Sequence, residues 1–469
     1  MRRAIGLPIL ILAALYVSSY SRLPAQDEKP HNVLLLVLDD VGTDKIGAYH
    51  EGQAGERTPT FDRLARNGVL FRNAWSNPLC SPTRACIQTG RYGFRTGIGT
   101  VIEDLEGHSL QLDEVTIPEA VDGAGLPHES AAIGKWHLSN RTGGASLYVD
   151  RSGFLQPDVK GFIAPNLQGY DHFAGATQNV ANYNHWMKIV DGDAFRSSLY
   201  VTSDNVDSAR DWIRSRGGSP WICYIAFNAA HVPYNDPPAE LHTYDDRPLG
   251  EWPSHRKKIQ YYAVLEAMDT ELARFFRELG GLKRFLQDTT VLVIGDNGTG
   301  ASASDYLPWR SKGTVYEAGV NVPLIACGAD VPARGECEAL VGAVDLFATT
   351  LELAGVPLDD GRIHDSVSLV PYFSDPHAPA RRGTVFAEYF TPNGYEPTRS
   401  SRAIRNARYK LIRKIDMDKE SEEEEFYDLA TDPRELRDLL RPPVRMSDES
   451  EANYLALSDE LDCLLKSGS

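Results

Sequence analysis

The sequence predicts an α/β fold with a mostly parallel central sheet flanked by helices, and a smaller antiparallel subdomain at the C-terminus. Three runs are continuously hydrophobic rather than alternating, which is typical of strands buried on both faces of a parallel sheet. They are "HNVLLLVLDD" (31–40), "WICYIAFNAAH" (221–231) and "TTVLVIGDNG" (289–298). Between the last two, residues 262–279 place apolar side chains at helical spacing before a Gly-Gly pair, which predicts a helix. Strands that alternate with helices indicate an α/β protein.

The pattern changes after residue 375, where short strand candidates are separated by polar turns. They are "GTVFAEYF", "SRAIRNARYKLIRK" and "EFYDLA", and a final helix is predicted from about Ser447. The acidic run Glu422 to Glu425 is predicted to be a solvated loop. We therefore expect a leader over residues 1–26, a main α/β domain over 27–375 and a C-terminal subdomain over 376–469.

Residues 1–26 have the features of a signal peptide. Two arginines precede an apolar run that ends at Val17 and is short for a membrane span, and a polar stretch follows. We expect export to the periplasm or the extracellular space without a stable membrane anchor, and an uncleaved anchor is the alternative. Export permits disulfides, but six cysteines in 469 residues are too few to form the scaffold. Whether Cys327 and Cys337 pair stays open.

The net charge of −17 restricts the kinds of partner. Nucleic-acid binding requires a basic stripe, so no nucleic-acid partner is expected. An anionic substrate would have to be attracted by a local group of cationic side chains.

Polar residues at the ends of two predicted strands suit a metal ion. Asp39 and Asp40 end the first strand, and Asp296 and Asn297 end the strand that begins near residue 289. Oxygen-only ligand sets favour hard cations such as Ca²⁺ or Mg²⁺. Taken singly, each pair has an ordinary explanation, a helix cap or a turn, but their shared placement at strand ends favours a metal site.

Cationic and imidazole side chains also follow strands. "GKWHL" carries Lys135 and His137, which alternate onto one face of an extended segment; His231 ends an apolar strand, and Lys312 lies in "WRSKGTVYEAG". Each alone is usually structural or solvated. Together they would supply hydrogen-bond donors for an anion that is held against a cation.

Cys80 occupies an unusual position in "NPLCSPTRACIQTGR" (77–91). Pro82 suits the first position of a helix and Ser81 can cap it, so Cys80 should lie at a helix N-terminus, where free N–H groups attract anions. The residue type alone allows two interpretations of this cysteine, a buried or disulfide-bonded residue or a thiolate nucleophile with a nearby base, and a third depends on a resemblance.

The stretch "CSPTRACIQTGR" resembles the signature of the type I, arylsulfatase-like sulfatases, in which the cysteine of Cys-x-Pro-x-Arg is converted to formylglycine. The resemblance extends over most of the chain, through "LLLVLDDVG", "GKWHL", "GYDHFAG", "AFNAAHVP", "VLVIGDNG" and "FYDLATDP". It implies an alkaline-phosphatase-like sulfatase fold with a smaller C-terminal sheet.

The resemblance also implies a role for each candidate residue. Asp39, Asp40, Asp296, Asn297 and the modified Cys80 would hold one divalent cation, usually Ca²⁺, with Mg²⁺ as the alternative. Arg84 would hold the formylglycine. The groups that contact sulfate would be Lys135, His137 and Lys312, and His231 would donate a proton to the leaving oxygen. The hydrated aldehyde would attack sulfur through one hydroxyl and expel sulfate through the other.

Two features depart from the family pattern. "EAGVN" places Asn321 where the family often has arginine, and the segment from residue 139 to 169 is long. That segment would either wall the substrate pocket or form a surface insertion.

The sequence therefore predicts a secreted sulfatase that acts on a sulfated small molecule or, more specifically, a sulfated saccharide, after maturation by a formylglycine-generating enzyme. The alternatives are a phosphate-ester hydrolase of the same superfamily, or a non-catalytic binder of sulfated glycans if Cys80 is unmodified.

Overall fold

The main structural feature is a ten-stranded mixed sheet, accompanied by a four-stranded sheet and a two-stranded hairpin. The computed structural model describes residues 31–52, 57–103, 108–140, 148–149, 155–156, 162–244, 253–357 and 364–467. The strands, in chain order, are β1 (Asn32–Leu38), β2 (Gly68–Trp75), β3 (Glu129–Lys135), β4 (Tyr148–Val149), β5 (Leu155–Gln156), β6 (His172–Ala176), β7 (Trp186–Val190), β8 (Asp193–Ser197), β9 (Trp221–Ala226), β10 (Thr289–Gly295), β11 (Leu324–Gly328), β12 (Gly335–Gly342), β13 (Val385–Thr391), β14 (Arg399–Arg405), β15 (Tyr409–Asp416) and β16 (Ser421–Asp428).

Helices alternate with these strands along the first 375 residues. The α-helices of the described residues are α1 (Pro59–Arg66), α2 (Cys80–Thr89), α3 (Gly93–Thr96), α4 (Ile117–Gly123), α5 (Ala164–Leu167), α6 (Val201–Ser215), α7 (Pro253–Glu278), α8 (Leu282–Phe285), α9 (Glu317–Val320), α10 (Asp345–Ala354), α11 (Val370–Ser374) and α12 (Asp448–Lys466). Among the described residues, no helix combines the length and apolar character that a membrane crossing requires.

The centre of the large sheet is parallel. The strands β10, β1, β9, β3 and β6 are neighbours in that order and run in one direction, as the unbroken apolar runs predict. Two antiparallel pairings through β11 return β2 to the same direction. The C-terminal ends of β1, β3, β9 and β10 therefore meet at one edge of the sheet, and the chain that leaves β2 enters α2 there.

Helices cover both faces of this sheet. Leu34, Leu36 and Leu38 of β1 belong to the core shared with α1, α6 and α7, and the alternate residues Val33 and Val37 to the core shared with α2, α4 and α10. All five side chains are fully buried. Burial of each such side chain stabilises the fold by about 1.5–3 kcal/mol, so the central strand is held from both faces.

The C-terminal part is a separate antiparallel sheet. Its strands β13, β14, β15 and β16 pair in chain order, and Leu457 and Leu461 of α12 pack against its apolar face. The predicted α/β fold with a C-terminal antiparallel sheet is confirmed. The predicted domain boundary at residue 375 lies between α11 and β13 and stays a prediction, and the predicted signal peptide lies outside the described residues.

The prediction of a solvated loop over Glu422 to Glu425 is wrong, because these residues belong to β16. Arg413 Nε lies 2.7 Å from Glu424 Oε1, and Lys414 Nζ lies 2.6 Å from Glu425 Oε1. The acidic run becomes a strand because the facing strand β15 supplies opposite charges across the pair.

Two other open points concern the cysteines and the long segment 139–169. All six cysteines are free. Cys327 and Cys337 lie on β11 and β12, on opposite sides of β2, so two strand spacings of about 9–10 Å separate them, too far for a disulfide. Within residues 141–161 the structure describes only the β4–β5 pairing, so the question of a pocket wall there lies outside the described residues.

Candidate active site

Carboxylate and amide side chains gather where β1 and β10 end. Asp39, Asp40, Asp296 and Asn297 are all buried. Asp40 has a left-handed backbone with φ of 60°, and its carbonyl oxygen accepts a hydrogen bond of 2.8 Å from the Tyr261 hydroxyl. The Asp40 N–H donates to Asp296 Oδ1 at 3.2 Å, and Asn297 Nδ2 donates to Asp40 Oδ1 at 2.8 Å. The two strand ends thus form one hydrogen-bonded cluster.

Three cationic side chains neutralise this cluster. Lys135 Nζ lies 2.5 Å from Asp39 Oδ2, and the Lys312 ammonium pairs with Asp40 Oδ1. The fully buried Arg84 donates to Asp296 Oδ2 through Nη2 at 2.8 Å and through Nε at 3.2 Å. Its Nη1 donates to the carbonyl of Lys135 at 2.7 Å, so the guanidinium joins α2 to both β10 and β3.

Two oxygens of the cluster lack hydrogen-bond partners although they are buried. They are Asp39 Oδ1 and Asn297 Oδ1. A buried acceptor without a partner costs about 1–3 kcal/mol, so such oxygens usually serve a ligand. Ligand atoms of Asp39, Asp40 and His231 also lie within 4.8 Å of one another. An oxygen-rich donor set with unpaired buried oxygens fits a hard divalent cation.

Cys80 lies at the N-terminus of α2, beside this cluster. It is buried, and its Sγ is 3.2 Å from His137 Nδ1. The helix begins at Cys80 itself, after Leu79, and has no side-chain cap. The predicted cap at Ser81 is wrong, because the Ser81 hydroxyl instead accepts the N–H of Ile102 at 3.1 Å. Cys80 nevertheless lies at a helix N-terminus, as predicted.

Lys135 and His137 both reach the site, as predicted, but not through a continuous strand. β3 ends at Lys135, and His137 takes a left-handed φ of 58°. Trp136, between them, is buried in the core, with its ring edge-on to Tyr170. The turn therefore directs Lys135 to Asp39 and His137 to Cys80.

His231 lies in the loop that follows β9, beside Asp39 and Asp40. Its Nδ1 lies 2.5 Å from the Val232 carbonyl, which accepts, so Nδ1 carries a hydrogen and Nε2 is the atom available to a ligand. The Tyr183 hydroxyl donates to the His231 carbonyl at 2.7 Å and fixes this loop. The structure thus brings together every site residue that the sequence predicts.

The electrostatics of the site follow from burial and from the mixed charges. Burial raises the pKa of Asp296 to about 8, and the negative charge of Asp39 adds to that rise. Burial also acts on Asp39, but the positive charges of Lys135 and Arg84 outweigh it and hold its pKa below the usual range. Burial lowers the pKa of His137 and of His231, so both imidazoles favour the neutral form.

Sequence reasoning missed a buried ion network that supports the cluster. Lys45 Nζ lies 3.1 Å from Asp44 Oδ2 and 2.7 Å from Asp305 Oδ2. Asp44 Oδ1 accepts the Thr299 hydroxyl at 2.6 Å, and Thr299 Oγ1 accepts the Gly42 N–H at 3.1 Å. These contacts tie the loop after β1 to the loop after β10. The only signal in the sequence is that these polar residues stand close to the strand-end motifs.

Comparison with known proteins identifies relatives over most of the chain. A family model described as "Sulfatase" matches residues 31–356, and one described as "N-sulphoglucosamine sulphohydrolase, C-terminal" matches residues 307–453. N-acetylgalactosamine-6-sulfatase of Sus scrofa is 29% identical over 378 residues, which cover 73% of this chain and 66% of that protein. Arylsulfatase A of Homo sapiens is 26% identical over 410 residues, which cover 81% of this chain and 74% of that protein. The chain thus spans about two thirds of the length of the first of these relatives.

A solved structure shares the fold. The structure of BT4656 in complex with its substrate D-glucosamine-2-N,6-O-disulfate superposes with a TM-score of 0.67 at 20% identity, covering 94% of this chain and 97% of that one.

Proposed function

The chain belongs to the sulfatase family, and on that premise we propose that it hydrolyses a sulfate ester on a carbohydrate. The reaction would use a formylglycine made from Cys80 and one divalent cation. Support for a carbohydrate comes from relatives whose names specify sulfated amino sugars. The cationic residues around the cluster supply the local attraction that a sulfate needs in a protein of net charge −17.

The observation that carries the proposal is the position of residue 80. The Cys80 thiol stands where a hydroxyl of the hydrated aldehyde would be, at the N-terminus of α2 and 3.2 Å from His137 Nδ1. Formylglycine, once hydrated, supplies two hydroxyls on one carbon, one to attack sulfur and one to expel sulfate. The free N–H groups at the start of α2 stabilise negative charge that develops there.

The cation would be held by Asp39, Asp40, Asp296 and Asn297, together with residue 80. The unpaired oxygens of Asp39 and Asn297 are the atoms that support this assignment. The oxygen donors favour Ca²⁺, and Mg²⁺ is the alternative. When bound, the cation would neutralise charge on the sulfate group and orient it.

The remaining residues would bind the sulfate and move a proton. Lys135 and Lys312 each use one donor on a carboxylate, and an ammonium has three donors, so each retains donors for sulfate oxygens. His231 is anchored through Nδ1, which leaves Nε2 to protonate the departing oxygen. Arg84 donates hydrogen bonds to Asp296 and to the Lys135 carbonyl. It would keep residue 80 and the metal ligands in fixed relative positions.

Two measurements test the proposal. Mass spectrometry of the peptide that contains residue 80, from protein made together with a formylglycine-generating enzyme, should find the aldehyde. Sulfate release from a panel of defined sulfated saccharides should exceed phosphate release from matched phosphate esters. Preferential phosphate release would support the phosphatase alternative, and unmodified Cys80 with saccharide binding but no turnover would support a glycan binder. Export of the mature protein should accompany cleavage near residue 27.

A further inference from the structure

A cavity lies at the same edge of the sheet as the candidate active site. Its volume is about 620 Å³, within the range of small-molecule sites. Its walls are Thr43 after β1, Arg310 before α9, Asn321 after α9, and Arg434 in the loop after β16. The cavity therefore lies where the main sheet meets the C-terminal subdomain.

Each acidic side chain of this cavity lies within 4.0 Å of a cationic side chain. Glu51 pairs with Arg72 at 3.7 Å, Asp305 with Lys45 at 2.7 Å, Glu317 with Arg405 at 3.2 Å, and Glu435 with Lys410 at 2.8 Å. Each carboxylate on the wall thus has a cationic neighbour, although Arg72 is shared with Glu336 at 2.5 Å.

Two arginines on the wall have no such partner. Within the described residues, no carboxylate lies within 4.0 Å of Arg310 or Arg434, although the protein carries a net charge of −17. The Arg310 guanidinium stacks on the Tyr316 ring at 4.4 Å, and its Nη1 donates to the Arg434 carbonyl at 3.4 Å. Both arginines line the same cavity, so an anion bound there would be near two positive charges that have no carboxylate partner.

Asn321 adds a second sign of a ligand. The side-chain Oδ1 of this residue is buried and has no hydrogen-bond partner. An unpaired acceptor beside two unpaired cations suits a ligand that has both hydroxyl and anionic groups, as a charged sugar has.

The cavity is close to the candidate active site along the chain. Arg310 lies two residues before Lys312, so their Cα atoms are at most about 7 Å apart. Trp309, directly before Arg310, is 69% exposed, and an exposed indole is a surface on which the apolar face of a sugar ring can pack.

We propose that this cavity is a subsite for an anionic group, a sulfate ester or a carboxylate, on a saccharide unit beyond the one that loses its sulfate. Arg310 and Arg434 bind the anion, Asn321 accepts a sugar hydroxyl, and Trp309 packs on a ring. The inference rests on the proposed function for the class of substrate, and it makes the protein selective for oligosaccharides over single sugars.

The test is equilibrium binding of a heparin-derived tetrasaccharide and disaccharide, which offer anionic groups at many positions. The protein carries Cys80→Ala so that neither probe is consumed. We expect the tetrasaccharide to bind more tightly, and Arg310→Gln or Arg434→Gln to weaken its binding by about five- to tenfold. Disaccharide binding should change by less than about twofold. Arg437→Gln is the matched control, because this exposed arginine does not line the cavity and should change nothing.

Several results would overturn the proposal. One is equal or absent binding of both saccharides, and another is tetrasaccharide binding that neither arginine variant weakens. If inorganic sulfate binds with the same dependence on Arg310 and the tetrasaccharide binds no better, the cavity is a site for free anions and the saccharide subsite is refuted. Arg434→Gln covers the case in which Arg310→Gln disturbs folding. Because binding is measured without turnover, a failure here is distinct from a failure to release sulfate.

Discussion

Glu388 provides a test of the structure through the pH dependence of stability. This residue of β13 is fully buried, and its Oε1 accepts the N–H of Phe94 at 2.7 Å. Its own N–H donates to Asn77 Oδ1 at 3.0 Å, in the segment that leads to Cys80. Burial raises the pKa of Glu388 from 4.5 to about 7, against the opposing charge of Arg402 and the hydrogen bond from Phe94.

The sign of the effect follows from this raised pKa. The folded protein holds the Glu388 proton more tightly than the unfolded chain does, so the stabilisation is complete below pH 4.5 and is lost as the pH rises through 7. A difference of about 2.5 pKa units corresponds to about 3 kcal/mol. Glu388→Gln keeps an acceptor for Phe94 but cannot ionise. Relative to wild type, the free energy of unfolding of the variant should therefore rise by about 2.5 kcal/mol between pH 5 and pH 8.

The measurement is urea unfolding of both proteins across this pH range. Glu422→Gln is the matched control, since the Glu422 side chain is 63% exposed in the same sheet and should show no such trend. Parallel stability curves for wild type and Glu388→Gln would refute the buried, protonated state of Glu388.

Three predictions concern the reaction. Cys80→Ser should release at most one equivalent of product in a burst assay, because serine offers no second hydroxyl to expel sulfate; sustained turnover would argue against formylglycine. His231→Ala should slow alkyl sulfates far more than activated aryl sulfates, since only a basic leaving oxygen needs a proton; equal losses would mean that His231 only binds. Asp39→Asn should weaken Ca²⁺ binding by about tenfold or more in a calorimetric titration, and unchanged affinity would remove Asp39 from the ligand set.

The parts of the fold that sequence could predict are those dictated by local pattern. The runs that became β1 and β10 are continuously apolar, and a strand of that kind can only be buried. β16 was not predictable in this way, since four consecutive glutamates read as solvated until Arg413 and Lys414 of β15 are placed opposite them. Residues that face each other on paired strands can be far apart in the sequence. A single sequence does not show which residues will face each other.

The candidate site likewise has parts that local sequence pattern predicts and parts that it does not. Residues at strand ends, such as Asp39 and Asp296, are predictable because parallel strands deliver their C-terminal ends to one edge. The Ser81 cap failed because the hydroxyl has a competing partner in Ile102, twenty-one residues away. The cavity lined by Arg310 and Arg434 could not be predicted for a related reason. These two residues are 124 positions apart in the sequence and meet only in the folded protein.

The C-terminal subdomain is part of the scaffold that places residue 80. Asn393, after β13, accepts the N–H groups of Gly99 and Thr100 at 2.8 and 2.9 Å and so fixes the loop that leads to Ile102. The Ile102 N–H in turn donates to Ser81, directly after Cys80. On the N-terminal side of Cys80, the backbone N–H of Glu388 donates a hydrogen bond to the side chain of Asn77 and so holds that segment. Because residue 80 is held from both sides by contacts from the C-terminal subdomain, loosening that subdomain should impair catalysis before it unfolds the main sheet, which has its own buried core.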